Sequence, residues 1–275
     1  MSTKIKQISI LGCGWLGLPL GLYLFEKNFM IKGSTTRKEK FDILKNNNIL
    51  PYFIRFNPES QGENLESFFE TDVLVINIPP GTRSKSPDFH PTQMKNIIHF
   101  IKKSPIKKVI YISSTSIYPD LNREIYEEDI QISEDVLNMP LWEAENLLRS
   151  LPIDLTILRC GGLMGYDRIP LKYFARKKGL KTAEIPVNFV HRDDVVSIIS
   201  EIIVQNKWNE VFNVSAPKHP VRKDVYLKIS KDLGYEMPEF ITSEENFKII
   251  NSDKLIKALN YQFLYPDPLY FRYEL

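Results

Sequence analysis

The stretch Ile8-Ser9-Ile10-Leu11-Gly12-Cys13-Gly14-Trp15-Leu16-Gly17-Leu18-Pro19-Leu20-Gly21-Leu22-Tyr23-Leu24-Phe25 decides how the rest of the chain is read. It carries no charge and follows Lys4 and Lys6, so composition alone matches a secretory signal or a membrane span. The glycines argue otherwise. The apolar run before Cys13, Ile8 to Gly12, falls short of the ~7–15 residues of a signal's apolar region. Gly12, Gly14, Gly17, Gly21 and Pro19 also weaken any single helix. The stretch divides instead into a buried strand, Ile5 to Leu11, and a helix, Leu16 to Phe25. Between them lies G-x-G-x-x-G at Gly12, Gly14 and Gly17. In that context the first glycine makes the tight turn, the second lets the backbone approach a pyrophosphate, and the third lets the helix pack on the strand. The helix N-terminus then turns free N–H groups toward the phosphates. Trp15 and Leu16 complete this loop, and Cys13 reads as a small turn residue. A glycine-rich turn without a ligand is the alternative.

Strand and helix patterns alternate from there. Strands are expected at Met30 to Thr35, Pro51 to Phe56, Asp72 to Ile78, Lys107 to Ser113 and Asp154 to Leu158. Helices are expected at Lys38 to Asn46, Thr92 to Lys103 and Ser133 to Arg149. This alternation predicts an α/β fold, a Rossmann doubly wound parallel sheet with helices on both faces. Ligands in such sheets bind beyond the carboxyl ends of the strands. Those ends carry Gly12, Gly33 to Arg37, Pro79 to Arg83 (with Ile78 before it as a further cofactor-binding candidate), Ser113 to Tyr118, and Arg159 to Gly162, and these segments should converge.

Composition excludes several classes. The 275 residues hold 36 basic against 34 acidic side chains, a net charge of +2, which gives no electrostatic case for a nucleic-acid partner. Two cysteines exclude a disulfide scaffold and a Cys-only zinc site, and fit a cytoplasmic protein without a membrane partner. His90, His99 and His219 lack ligand spacing, so no metal is expected. Glu127-Glu128-Asp129 reads as an exposed acidic loop.

The end of the second strand bears on cofactor choice. An NAD site usually places Asp or Glu about 20 residues past the glycines. Here Gly33-Ser34-Thr35-Thr36-Arg37-Lys38 has hydroxyls and cations and no acid. Ser34, Thr35, Thr36 and Arg37 suit a 2′-phosphate, so NADP is preferred over NAD. The alternative is that Arg37 and Lys38 are solvated residues opening a helix.

From the fifth strand the residues become specific. Val109-Ile110-Tyr111-Ile112-Ser113-Ser114-Thr115-Ser116-Ile117-Tyr118 resembles the strand-five signature of the extended short-chain dehydrogenases, the NAD-dependent epimerase/dehydratase superfamily. Arg159-Cys160-Gly161-Gly162-Leu163-Met164-Gly165, Asn188-Phe189-Val190-His191-Arg192-Asp193-Asp194-Val195 and Val211-Phe212-Asn213-Val214 resemble later elements of the same family. Gly14-Trp15-Leu16-Gly17, Ser114-Thr115-Ser116 and Tyr265-Pro266-Asp267-Pro268-Leu269 are similar to an atypical bacterial subgroup. The resemblance implies a Rossmann domain over residues 1–160 and 188–215, with residues 188 to 215 returning to the sheet. It implies a small substrate lobe over 161–187 and 216–275, with helices at Lys223 to Leu233 and Ser252 to Leu259. It places Ser114 and Tyr118 near the expected nicotinamide, as catalytic candidates, Ser114 polarising the oxygen and Tyr118, Tyr166 or His191 handling the proton; Arg83, Thr115, Ser116, Gly162, Tyr166, Arg168 and His191 are the substrate-binding candidates.

One departure is decisive for mechanism. The family's Tyr-x-x-x-Lys pair falls here at Leu137 and Leu141, and no lysine occurs between residues 109 and 171. In the family that lysine lowers the tyrosine pKa for proton exchange with a substrate hydroxyl. Two functions stay open. One is an NADP- or NAD-dependent oxidoreductase, epimerase or dehydratase acting on a hydroxyl or carbonyl of a small molecule such as a nucleotide sugar. The other is a non-catalytic NADP(H)-binding sensor or regulatory protein. Monomer and homodimer are both compatible.

Overall fold

The computed structural model describes residues 5–81 and 85–274. In chain order the elements are β1 (Gln7–Leu11), α1 (Gly17–Glu26), β2 (Met30–Thr35), α2 (Phe41–Asn46), β3 (Ile49–Phe56), β4 (Ser60–Gly62), α3 (Leu65–Phe69), β5 (Val73–Ile76), α4 (Phe89–Lys102) and β6 (Lys108–Ser114). There follow β7 (Arg123–Ile125), α5 (Met139–Arg149), β8 (Asp154–Cys160), β9 (Gly162–Met164), β10 (Phe189–His191), α6 (Arg192–Val204), β11 (Val211–Val214), α7 (Arg222–Leu233), β12 (Lys248–Ile250) and α8 (Asp253–Leu259). Contacts divide the chain into two compact units: residues 1–117, 138–158 and 196–211, and residues 118–137, 159–195 and 212–275.

The first unit is built on an eight-stranded sheet of order β11-β8-β6-β5-β1-β2-β3-β4, whose strands β8 and β11 run on into the second unit. The pairs β1–β2, β1–β5, β2–β3 and β5–β6 are parallel, and β4 returns antiparallel to β3. β1 lies at the point where the strand order reverses, with Ile10 opposite Gly33 on one side and Val75 on the other. That is the doubly wound arrangement, and its switch point opens at the carboxyl end of β1. α1 buries Gly17, Leu20, Gly21 and Leu24, a helical stripe against the sheet. Pro19 sits in its first turn, where a missing N–H costs nothing. A core of Leu11, Phe68, Phe69, Leu74, Ile76, Met94, Ile97, Val109, Tyr111 and Leu148 fills the space between the sheet and α3, α4 and α5.

The second unit holds two small sheets, β9 parallel to β10 and β12 parallel to β7. Its own core gathers Leu171, Val187, Phe189, Val225, Tyr226, Ile229 and Phe271. α7 stops at Gly234, which takes the left-handed conformation at φ +74°.

Three expectations are corrected. The helix expected from Ser133 begins only at Met139, because Pro140 fits a first turn but not an interior. Phe189 to His191 do not rejoin the large sheet but pair with β9. Glu127 is buried, and its Oε1 accepts the Asn213 N–H at 2.7 Å; the solvated acidic stretch is shorter than its charge suggests.

Candidate dinucleotide loop and a tyrosine–aspartate cluster

The glycine loop lies in the first unit, and each glycine meets a different demand. Gly12 has φ +107°, and a Cβ there would lie 2.2 Å from the Asn77 carbonyl oxygen. At Gly17 a Cβ would lie 2.2 Å from the Gly12 carbonyl oxygen. At Gly14 nothing stands within 4 Å of that position. The protein's own packing therefore requires glycine at the first and third positions only. At the second position the space is open, and a pyrophosphate could approach the backbone there. The residues present fit a dinucleotide on this ground.

Two neighbours fix the loop. Ser34 Oγ accepts the Gly12 N–H at 2.8 Å, and the Cys13 N–H donates to the Ser34 carbonyl at 2.8 Å. Asn77 Nδ2 donates to the Gly12 carbonyl at 2.9 Å. Ser34 is buried and engaged with the loop itself, so it shapes the loop rather than offering its hydroxyl outward. Asn77 was not singled out from the sequence; its one signal is an amide closing an apolar strand. Cys13 turns inward beside Gly33, where a Cβ would come within 2.6 Å of its Sγ. Burial pushes the Cys13 thiol up to about 12.

Beyond β2, Thr35 Oγ1 accepts the Arg37 N–H at 3.2 Å, and Thr36 and Arg37 are exposed. Lys38 is held by Glu63 at 2.8 Å and lies 5.3 Å from the Phe53 ring centroid. Arg55, which the sequence did not suggest, donates to the Thr36 carbonyl at 3.2 Å and lies 5.9 Å from the same ring centroid. Two cations thus lie near the Phe53 ring, Lys38 next to Arg37 in sequence and Arg55 bonded to the residue before it. At the end of β5, Ile78 and Pro80 are half-buried and Pro79 is exposed. Arg83 lies outside the described residues.

At the end of β6, Ser114 is half-buried and its Oγ accepts the Ser116 N–H at 3.1 Å. Thr115 is buried, and the exposed Ser116 accepts from Asn138 at 3.3 Å. Ser113, one residue earlier, donates to the wholly buried Glu145 at 2.7 Å. Leu137 is exposed and Leu141 buried, and as aliphatic side chains neither offers a proton-transfer group.

The remaining candidates belong to the second unit. Tyr118 is 0% exposed; its hydroxyl donates to Asn213 Oδ1 at 2.7 Å and accepts from the buried Arg159 at 2.8 Å. The catalytic expectation for Tyr118 meets a physical obstacle, since that oxygen is enclosed and spoken for. Gly162 lies in β9, where a Cβ would come 2.7 Å from the Phe189 ring. Arg168 is half-buried in the turn that its N–H closes on the Gly165 carbonyl at 3.0 Å. His191 is buried and stacks on Tyr265 at 3.8 Å between centroids. Its Nδ1 accepts the Asp193 N–H at 3.3 Å, and burial holds its pKa below the usual histidine range despite the nearby Asp193 carboxylate. Tyr166, half-buried with φ +52°, donates its hydroxyl to Asp193 Oδ2 at 2.6 Å. Burial and that carboxylate together push its pKa above the usual tyrosine range. Asp194 is buried; it accepts from the Tyr261 hydroxyl at 2.9 Å and from the Leu264 and Tyr265 N–H groups at 2.7 and 3.1 Å, which seats Tyr265 on His191.

Among the described residues no group of three or more His, Cys, Asp or Glu could hold a metal ion. Among them, too, no helix is long and apolar enough to cross a membrane.

No family model matches the chain. Protein YeeZ of Escherichia coli is 30% identical over 270 residues, which span 96% of this chain and 98% of that protein. The chain belongs to the YeeZ family. Its fold is that of the NAD-dependent epimerases and dehydratases of the short-chain dehydrogenase superfamily. A UDP-glucuronic acid 4-epimerase from Bacillus cereus, solved with UDP-glucuronic acid and NAD, superposes on this YeeZ-family chain with a TM-score of 0.76 at 17% identity, over 96% of this chain and 95% of that one. A dTDP-glucose 4,6-dehydratase from Bacillus anthracis, solved with NAD, gives 0.74 at 17% identity over 96% and 94%. A protein of unknown function from Silicibacter pomeroyi gives 0.74 at 16% identity over 96% and 95%.

Proposed function

We propose that the chain binds a nicotinamide dinucleotide, NADP(H) in preference to NAD(H), and acts as an oxidoreductase, epimerase or dehydratase on a hydroxyl or carbonyl of a nucleotide-sugar-like molecule. The observation that carries the reading is the contrast within the glycine loop, where Gly14 alone has open space above it. Gly12, Gly14, Trp15, Leu16 and Gly17 would hold the pyrophosphate through backbone N–H groups. Arg37, with Arg55 and Lys38 beside it, would meet a 2′-phosphate. Ile78, Pro79 and Pro80 would line the dinucleotide at the end of β5. When bound, the dinucleotide supplies the hydride acceptor or donor. Ser114 would hydrogen-bond the reacting substrate oxygen, and Tyr118 would serve as wall rather than acid. Residues 1–160 with 188–215 would serve the cofactor, and 161–187 with 216–275 the substrate, with Ser116, Gly162 and Arg168 as contacts.

Fluorescence titration tests the cofactor assignment. Arg37→Ala should weaken NADPH about tenfold or more and leave NADH within about twofold, the size of one charge-assisted phosphate contact. Equal loss for both nucleotides would contradict the 2′-phosphate role. A second reading, a dinucleotide-binding protein without catalysis, draws on Leu137 and Leu141, the positions to which the resemblance to the extended short-chain dehydrogenases assigns their tyrosine–lysine pair. Tight NADPH binding with no conversion of any nucleotide sugar would favour it.

A further inference from the structure

We propose that His90 is a pH-sensitive clamp built into the first unit: as the neutral imidazole it ties the first turn of α4 to β6 and, through Gln93, to β3, and when protonated it lets that turn open. The inference is independent of the functional reading above.

Three elements of one unit meet at the imidazole. His90 stands second in α4 and is 1% exposed. Its Nε2 lies 2.7 Å from the Tyr111 hydroxyl on β6, and its Nδ1 lies 2.9 Å from Gln93 Oε1, one turn along the helix. Gln93 Nε2 donates in turn to the Phe56 carbonyl at the end of β3, at 2.8 Å. His90, Gln93 and Tyr111 are all buried.

That chain of bonds fixes the proton. With its nitrogen given to Phe56, Gln93 faces His90 with a carbonyl oxygen, which can only accept. His90 Nδ1 therefore carries the hydrogen, and Nε2 is the bare nitrogen that accepts the Tyr111 O–H. A second proton on the ring has to go to Nε2. The Tyr111 hydroxyl must then turn its hydrogen away, and among the described residues no other acceptor bonds it. The buried imidazolium and the orphaned hydroxyl both cost free energy, which opening to water relieves.

The surroundings do not rescue the charge. β6 presents Tyr111, which burial and then the Glu145 carboxylate hold above the usual tyrosine range, so it stays a proton donor. α5 presents Glu145, which already accepts from Ser113 at 2.7 Å and from Arg149 at 3.4 Å. α3 and β5 add Phe68, Phe69, Leu74 and Ile76 to the core around α4, none of them titratable. Burial accordingly holds the His90 pKa below the usual histidine range, against the Gln93 hydrogen bond, which raises it. The clamp is at full strength above about pH 6.5, the ordinary histidine value, and its opening constant rises up to about tenfold per pH unit below that.

The opening is local. Asp88 at the N-cap of α4 makes no side-chain capping bond, so His90 and Gln93 supply the side-chain bonds that hold the first turn. Further along, Asn96 donates to the Pro58 carbonyl at 3.0 Å, a bond that does not titrate.

Two measurements on the full wild-type chain test the clamp. In NMR of ¹⁵N-histidine, His90, assigned through its contact with the Tyr111 ring, should show the Nδ1–H tautomer and titrate below about 6.5. Hydrogen exchange, corrected for intrinsic rates, should lose protection in residues 89–93 by about tenfold or more between about pH 7.5 and 5.0, while residues 97–102 change less than about threefold. His90→Gln keeps a donor for Gln93 and an acceptor for Tyr111 without a titrating group, and should hold the same protection at both pH values. An Nε2–H tautomer, a titration at or above about 6.5, or equal protection of residues 89–93 at the two pH values in the wild-type chain would overturn the clamp. So would the same pH-dependent loss in His90→Gln. Neither wild-type measurement depends on the variant folding.

Discussion

Gly14→Val is expected to cut NADPH affinity by about 100-fold or more while the melting temperature stays within about 2 °C of wild type. Gly12→Ala is expected to do the reverse in kind. It forces an L side chain to φ +107° and sets its Cβ 2.2 Å from the Asn77 carbonyl. Strain of this type costs about 1–3 kcal/mol before the clash is relieved, which is roughly 2–5 °C of melting temperature in a chain of this size. Calorimetry and fluorescence titration on the two variants separate the two demands. A Gly14→Val chain that melts normally and binds NADPH normally would show that the pyrophosphate does not approach the loop at Gly14, and that placement would fall; a wild-type chain that binds neither NADPH nor NADH would remove the dinucleotide reading itself.

The largest stability effect should come from Arg159→Leu. Arg159 is 1% exposed, and its Nη1 serves both the Tyr118 hydroxyl at 2.8 Å and the Glu127 carbonyl at 3.3 Å. Its guanidinium also lies 5.1 Å from the Tyr118 ring centroid. The substitution leaves the Tyr118 hydroxyl and the Glu127 carbonyl short of a donor, at about 1–3 kcal/mol each, so a drop of roughly 3–10 °C is expected in thermal unfolding. Tyr118→Phe removes the hydroxyl alone and should cost about 1–3 kcal/mol. Because the two residues share one network, the double variant should lose less than the sum of the singles. Additive losses would mean that Tyr118 and Arg159 act independently.

Much of the fold was legible because its signals are local. The loop from Gly12 to Gly17 joins an apolar strand to an apolar helix within a few residues, and the buried strands at β5, β6 and β8 read as apolar runs. What was hidden depends on partners distant in sequence. Asn77 acts on Gly12 across 65 positions, and Tyr118 is sealed by Asn213 and Arg159, 95 and 41 positions away. Periodicity cannot report such pairings. The hydroxyl of Ser34 looked like a phosphate ligand because its residue type fits, yet the loop's own backbone claims it first. Tyr166 and Asp193 were each within recognisable segments, but their union needed the β9–β10 register to be seen.

The two inward-facing thiols have one more consequence. Cys13 and Cys160 are both buried, one in each compact unit, and burial raises each to about 12. At neutral pH almost no thiolate exists to react, so alkylating reagents and peroxides should meet an inert surface. Reaction then waits on a local opening event. The rate at which each cysteine is labelled becomes a clock for its own unit. Cys13 times how often the glycine loop lifts from β2, and its slowing by added dinucleotide would register occupancy without any chemistry at a substrate.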